Sequence, residues 1–206
     1  KVYLKKETNI TNIIKYHVIL PDASKLDFSL RKNQKNLIFN ALAILACFYM
    51  LGLNLKLINQ FKSVPFTEGR GEILKSKYKG NKLEIHDHSY NANPISMRET
   101  IDIFNKFKSR HLVYVIGDMN ELGNKSEKFH IDLIRYLILI KAKKVVFVGA
   151  KLFSLRKRYN ILQFEYYKNI DNVISNAEKI FDRNSKVFLK GSNSINLRKL
   201  SNHLIS

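Results

Sequence analysis

From about Glu72 onward, short continuous apolar runs alternate with amphipathic segments, and no other feature of this sequence limits the fold so tightly. The runs are "KLEIHD", "HLVYVIGD", "KKVVFVGA", "LQFEYY" and "SKVFLKG". Helical spacing separates them. Ile101, Phe104 and Phe107 share a face at about 95–108, and Ile131, Ile134, Leu137 and Ile138 do so at about 126–141. Two more helices are expected, near 171–181 and in the last segment to about Leu204. Strands apolar on both sides need cover on both sides, which means a mostly parallel sheet between helical layers. Right-handed crossovers then give an α/β, Rossmann-like domain.

The region before Glu72 reads differently. Residues 1–34 suggest short strands ("KVYLKK", "YHVILP", "LDFSLRK"), followed by a helix from about Asn36 to Leu51 with Gly52 as its C-cap. "NLKLINQFKSV" suggests a second short helix, and "PFTEGRGE", Pro65 to Glu72, marks the best boundary between domains. The uncharged stretch between Lys35 and Lys56 is long enough to span a membrane. Asn36, Asn40, Gly52 and Asn54 interrupt it and no second span exists, so a fully buried helix is the expectation. Cys47 is the single cysteine; it excludes a disulfide framework and is expected to be buried. The sequence opens on Lys1 without an initiator Met or an apolar leader, as expected for the later part of a longer protein.

A formal charge of +19 invites a nucleic-acid reading. Only nine of the 36 basic residues are Arg, and they are spread along the chain with no zinc-ligand spacing or RNA-binding aromatic signature. Composition explains the charge without such a partner.

Ligands of a parallel sheet sit beyond the carboxyl ends of its strands. Three polar clusters fall there: Asp87–Asn93, Gly117–Glu121 and Lys190–Ser194. Part of the first, "NPISMRE", is helix-start grammar, with either Ser96 or Asn93 as N-cap. That grammar leaves Asp87, Tyr90 and Asn91 unexplained, and these are expected to face a ligand. "GRG" at 69–71 offers Arg70 to a phosphate or is a hinge with a solvated Arg. "GDMNELG" is a turn with solvated Asp118 and Glu121, and "KGSNS" is an anion site or a helix cap. His130 is expected to be packed or exposed rather than catalytic. No P-loop, G-x-G-x-x-G, H-E-x-x-H or G-x-S-x-G motif occurs, so no complete catalytic set is visible.

Taken together, "FNALAILA", "EGRGE", "DHSYNANPISM", "GDMNELGNKSEKFH" and "FLKGSNS" resemble the MurF-type Mur ligases over nearly the whole chain from Asn36. The resemblance implies an ATP-dependent, cytoplasmic amide ligase of peptidoglycan synthesis that joins D-Ala-D-Ala to UDP-MurNAc-tripeptide through an acyl phosphate. It also implies Mg2+ with the ATP. Residues 1–68 would be the end of the central ATP-binding domain and residues 69–206 the C-terminal Rossmann-like domain. The N-terminal domain and the rest of the central one would be its partners, and the piece alone would be inactive. By position in the motifs, Asn40, Arg70, Asp87, Asn91 and Asn93 are implied as nucleotide-binding, and Tyr90, Lys190 and Ser192 as substrate-binding. No catalytic residue or metal ligand is carried over. The alternatives are another Mur or folylpolyglutamate-type ligase, and a non-catalytic nucleotide- or partner-binding module. Two positions depart from the family pattern: Asn36 stands where His is common, and His88 where a second Asp is usual.

Overall fold

The computed structural model describes residues 1–64, 68–107, 109 and 111–206, without the side chains of Asn33 and Asn36. The expected boundary residues Pro65–Thr67 and the Asn36 side chain therefore lie outside the described residues. The chain divides into two compact units, Lys1–Pro65 and Phe66–Ser206.

The N-terminal unit is an antiparallel sheet of β1 (Tyr3–Asn9), β2 (Ile13–Ile19) and β3 (Lys25–Arg31), in that order. Its inward face follows the period of two: Ile14, Tyr16 and Val18 on β2, Phe28 and Leu30 on β3. Tyr16 stacks on Phe28 with ring centroids 5.5 Å apart. A 3-10 segment, Lys32–Leu37, leads into α1 (Ile38–Met50), and a second 3-10 segment, Leu55–Ser63, follows. Gly52 takes a left-handed φ of 66° just beyond α1, the terminating geometry expected of it. The expectation of a fully buried helix fails. Only Ala41 and Leu45 of α1 are buried, while Phe39 and Met50 are 78% and 77% exposed and Cys47 is exposed. Ile38, Leu42, Ile44 and Tyr49 are partly buried against the core of the unit, while Phe39, Met50 and Leu51 at the helix's ends face outward. No described helix is long and apolar enough to cross a membrane.

The C-terminal unit carries the expected α/β architecture. Its elements run β4 (Glu72–Tyr78), β5 (Asn81–His88), α2 (Pro94–Asn105), β6 (Leu112–Gly117), α3 (Ser126–Leu139), β7 (Val145–Val148), α4 (Ala150–Ser154), β8 (Phe164–Tyr167), α5 (Ile170–Ser175), α6 (Ala177–Ile180), β9 (Ser185–Lys190) and α7 (Arg198–Ile205). The sheet order is β4-β5-β9-β6-β7-β8, parallel except for β4. β4 is an addition to the sequence reading. It pairs antiparallel with β5 across Lys79 and Gly80, both at positive φ, the two-residue turn that matches strand twist. Exposed Lys75 and Lys77 on this edge strand discourage pairing with another sheet.

Two cores lie on opposite faces of the sheet. α2, α3 and α4 pack with Tyr114, Phe147 and Phe188 on one face. α5, α6 and α7 pack with Ile85, Val115, Val146 and Leu189 on the other. β9 inserts between β5 and β6, and the chain leaves β9 toward the second face while β5 and β6 lead to the first. That reversal is the topological switch point, where parallel sheets open a crevice at their carboxyl edge.

Candidate functional site

The loop after β5 is built in two halves. Asn93 is the N-cap of α2: its side chain accepts from Ser96 N–H at 2.9 Å, and Ser96 Oγ accepts from Asn93 N–H at 3.3 Å. Of the two caps open to the sequence, this one is formed, with Pro94 at the first helical turn. Asn91 is exposed, and its Oδ1 accepts from Ala92 N–H at 2.8 Å.

The Asp87 carboxylate is committed within the fold. It is 0% exposed and points at α7, where Oδ2 accepts from Arg198 Nη1 at 2.9 Å and Ser201 Oγ at 2.8 Å; Oδ1 accepts from Ser89 N–H. Arg198 also pairs with Glu72 of β4 at 2.6 Å. A carboxylate so fully used braces β4, β5 and α7 instead of reaching a ligand. Arg198 and Ser201 were invisible to sequence reasoning, because only the tertiary fold brings α7 beside β5.

The "GRG" segment is zipped to this loop. Gly71 N–H donates to Asp87 O at 2.8 Å and Tyr90 N–H to Gly69 O at 3.0 Å. Arg70 between them is exposed, and its guanidinium lies 3.9 Å from the centroid of the Tyr90 ring. Tyr90, itself 40% exposed, is thus a platform that holds Arg70 at the sheet's edge by a cation–π contact.

Lys190, the last residue of β9, is 5% exposed, and its Nζ donates to Asn91 O at 3.0 Å. Burial pulls its pKa down to about 8. Next to it in register is His88, whose pKa falls to about 4 from burial first and then from the charge of Lys190. Ser192 closes the neighbouring crevice, donating its N–H to Asp118 O at 2.9 Å and accepting from Asn120 N–H at 2.8 Å. Arg70, Tyr90, Asn91, Asn93, Lys190 and Ser192 therefore share the carboxyl edge of one sheet. Asn40 belongs to the N-terminal unit, near the start of α1, where it is exposed.

The Gly117–Glu121 cluster is structural. Asp118, 3% exposed rather than solvated, caps α4 by accepting from Lys151 N–H and Leu152 N–H, both at 2.9 Å. Gly149 is required there, since a Cβ would lie 2.4 Å from the Asp118 carboxyl carbon. His130 is buried and neutral: Nε2 accepts from Met119 N–H at 3.0 Å, Nδ1 donates to Ser126 O at 2.7 Å, and burial lowers its pKa. It staples the loop to α3, as a packed histidine does.

A groove of about 380 Å³ runs between α2 and α3, floored by Met97, Met119, Phe129 and Leu133. Arg98 lies over Tyr136 on its wall, and the Tyr136 hydroxyl bonds to Asp102. Among the described residues no group of three or more His, Cys, Asp or Glu suits a metal ion.

Residues 69–193 match the family of the Mur ligase glutamate ligase domain. The chain belongs to the Mur ligase family. Among curated Mur ligases, the UDP-N-acetylmuramoyl-tripeptide--D-alanyl-D-alanine ligase of Rickettsia prowazekii is 27% identical over 165 residues, 78% of this chain and 35% of that protein. The protein of the same name from Borreliella burgdorferi is 27% identical over 169 residues, 80% of this chain and 36% of its own length. The chain thus spans about a third of the length of these relatives. Among solved Mur ligases, a MurF structure from Acinetobacter baumannii has a TM-score of 0.73 at 22% identity, covering 98% of this chain and 45% of that one. A Thermotoga maritima MurF in complex with ADP has a TM-score of 0.64 at 17% identity, covering 98% of this chain and 45% of that one.

Proposed function

We propose that this chain is the later part of an ATP-dependent amide ligase that joins D-Ala-D-Ala to UDP-MurNAc-tripeptide in peptidoglycan synthesis, in the cytoplasm. In this reading residues 1–68 end the central ATP-binding domain and residues 69–206 form the C-terminal domain. The observation that carries it is the gathering of Arg70, Tyr90, Asn91 and Lys190 at the carboxyl edge of a parallel sheet in a member of this family.

The chemistry asks for an acyl phosphate, then attack by the dipeptide amine. Charge builds on the phosphoryl oxygens in both steps, and fixed cations stabilise it. Arg70, exposed but steadied by Tyr90, supplies such a cation. Asn91 and Lys190 receive the dipeptide, Asn93 and Ser192 fix the loops that carry them, and Asn40 contacts the nucleotide from the N-terminal unit. Asp87 contributes by bracing the edge. The chain has no P-loop, so the triphosphate is bound elsewhere in a longer protein, and this piece alone does not activate the carboxylate. ATP brings Mg2+ to neutralise phosphate charge. The described residues do not fit a Mg2+ site, since the carboxylates at this edge, Glu68, Glu72 and Asp87, are all paired with Arg198 and no group of three or more suits a metal ion.

The test is phosphate release by the longer protein carrying this chain. Release that requires both UDP-MurNAc-tripeptide and D-Ala-D-Ala supports the reading. Release driven by another amino acid in place of D-Ala-D-Ala, or none at all, rejects it.

A further inference from the structure

His88 and Lys190 are register partners on the adjacent parallel strands β5 and β9, so both side chains leave the sheet on the same face. Lys190 is buried, and its hydrogen bond to the Asn91 carbonyl is the one its side chain makes among the described residues. An ammonium has three donors, so two remain. The nearest carboxylate in sequence, Asp87, is turned to the opposite face and held by Arg198 and Ser201. The ring nitrogens of His88 make no hydrogen bond among the described residues. The ring lies against Phe188, with centroids 5.6 Å apart, and only 3.2 Å from where a Cβ on Gly71 would stand.

A buried cation with neither counter-ion nor full hydrogen bonding is unfavourable for the fold, and the half-buried imidazole beside it has both ring nitrogens free of protein partners among the described residues. Both features are resolved by one ligand type. We infer that Lys190 and His88 form a two-point receptor for an oxyanion, a carboxylate or a phosphoryl group, at the switch point of the sheet. The free donors of Lys190 meet the anion first. In the acid range His88 then takes a proton from solvent and becomes the second donor, so binding there carries proton uptake. Free His88 is held neutral by burial, by Lys190 on β9 and by His86 on its own strand, against a smaller opposing pull from Asp87; the segment ahead of β4 presents uncharged Gly71 to the ring. A bound oxyanion reverses that balance, as an adjacent opposite charge favours the protonated imidazole. The inference deepens the ligase reading and rests on it for the choice of probes.

The experiment observes the imidazole nitrogens of His88 by NMR in the 206-residue chain. D-alanyl-D-alanine, its C-terminal amide and inorganic phosphate are the probes. At saturation by an oxyanion, the apparent pKa of His88 is expected to rise by about one unit or more from about 4, read as imidazole protonation at about pH 5 that the free chain lacks. Lys190→Met weakens binding by about tenfold or more. His88→Asn removes the pH dependence of binding and weakens it where the imidazole would be protonated, and thermal midpoints confirm that both variants fold. A response to the free dipeptide alone assigns a carboxylate subsite, and a response to phosphate assigns a phosphoryl one. If neither anion binds, if the amide binds as well as the acid and phosphate does not bind, or if the apparent pKa of His88 does not rise at saturation, the inference is overturned. None of these results touches the ligase reading, which rests on substrate-dependent phosphate release.

Discussion

In the C-terminal unit both faces of the sheet are covered, and the largest side chains, among them Tyr114, Phe147 and Phe188, are fully buried between sheet and helices. In the N-terminal unit a three-stranded sheet has one core, and α1 turns Phe39, Met50 and Leu51 outward. The contrast teaches that apolar content alone does not make a stable unit. What matters is whether the same stretch of chain also supplies the cover.

Cutting the chain between the units breaks this comparison most severely. Residues 66–206 are expected to fold alone with one cooperative unfolding transition. Residues 1–65 are expected to lack one and to bind a hydrophobic dye, because their exposed apolar surface is left uncovered. Cooperative unfolding of both pieces would erase the distinction. Next in size is a matched pair of core and surface changes. Phe188→Ala, at a 0% exposed site, should cost about 3–5 kcal/mol in chemical denaturation, while Phe39→Ala, at a 78% exposed one, should stay within about 0.5 kcal/mol.

Lys190 sharpens the comparison from the functional side. Its folded pKa, about 8, lies below the ordinary 10.5. The folded state therefore binds fewer protons, and stability is lost as pH falls from above 10.5 through 8. Lys190→Met should accordingly stabilise the C-terminal unit at pH 7, by roughly 1–3 kcal/mol, with the gain shrinking as pH approaches 10.5. A gain independent of pH would mean that the amine is not strained by burial. The smallest effect belongs to the helix cap: Asn93→Ala should cost about 1 kcal/mol, seen as a lower thermal midpoint.

The fold of the C-terminal unit was legible because its strands are continuous apolar runs and its helices carry periodic faces, signals that survive without tertiary knowledge. β4 escaped notice because "EILKSKY" alternates weakly on an edge with one uncovered face, and a Lys-rich edge strand reads as solvated loop. The exposure of α1 and Cys47 was misread for the opposite reason. An apolar helix signals a need for cover, but its sequence cannot say whether the same unit provides it. The site was legible as an edge, from Tyr90, Asn91 and Lys190 at the strand ends. The direction of Asp87 was not, since Arg198 and Ser201 lie more than a hundred residues away in sequence and meet it only through the register of β5 against α7. The stacking of Arg70 on Tyr90 likewise depends on the zipped Gly69–Gly71 backbone.

The central claim is that this carboxyl edge works on substrate charge, and Arg70 tests it most directly. Turnover and thermal midpoint should be measured together for Arg70→Ala and Arg70→Lys in the longer protein that carries the chain. An exposed Arg contributes little to folding, so the midpoint should hardly move. The account expects phosphate release to fall by about a hundredfold in the alanine variant, with partial recovery in the lysine variant. Turnover unchanged by Arg70→Ala would contradict it and leave Arg70 as part of a linker.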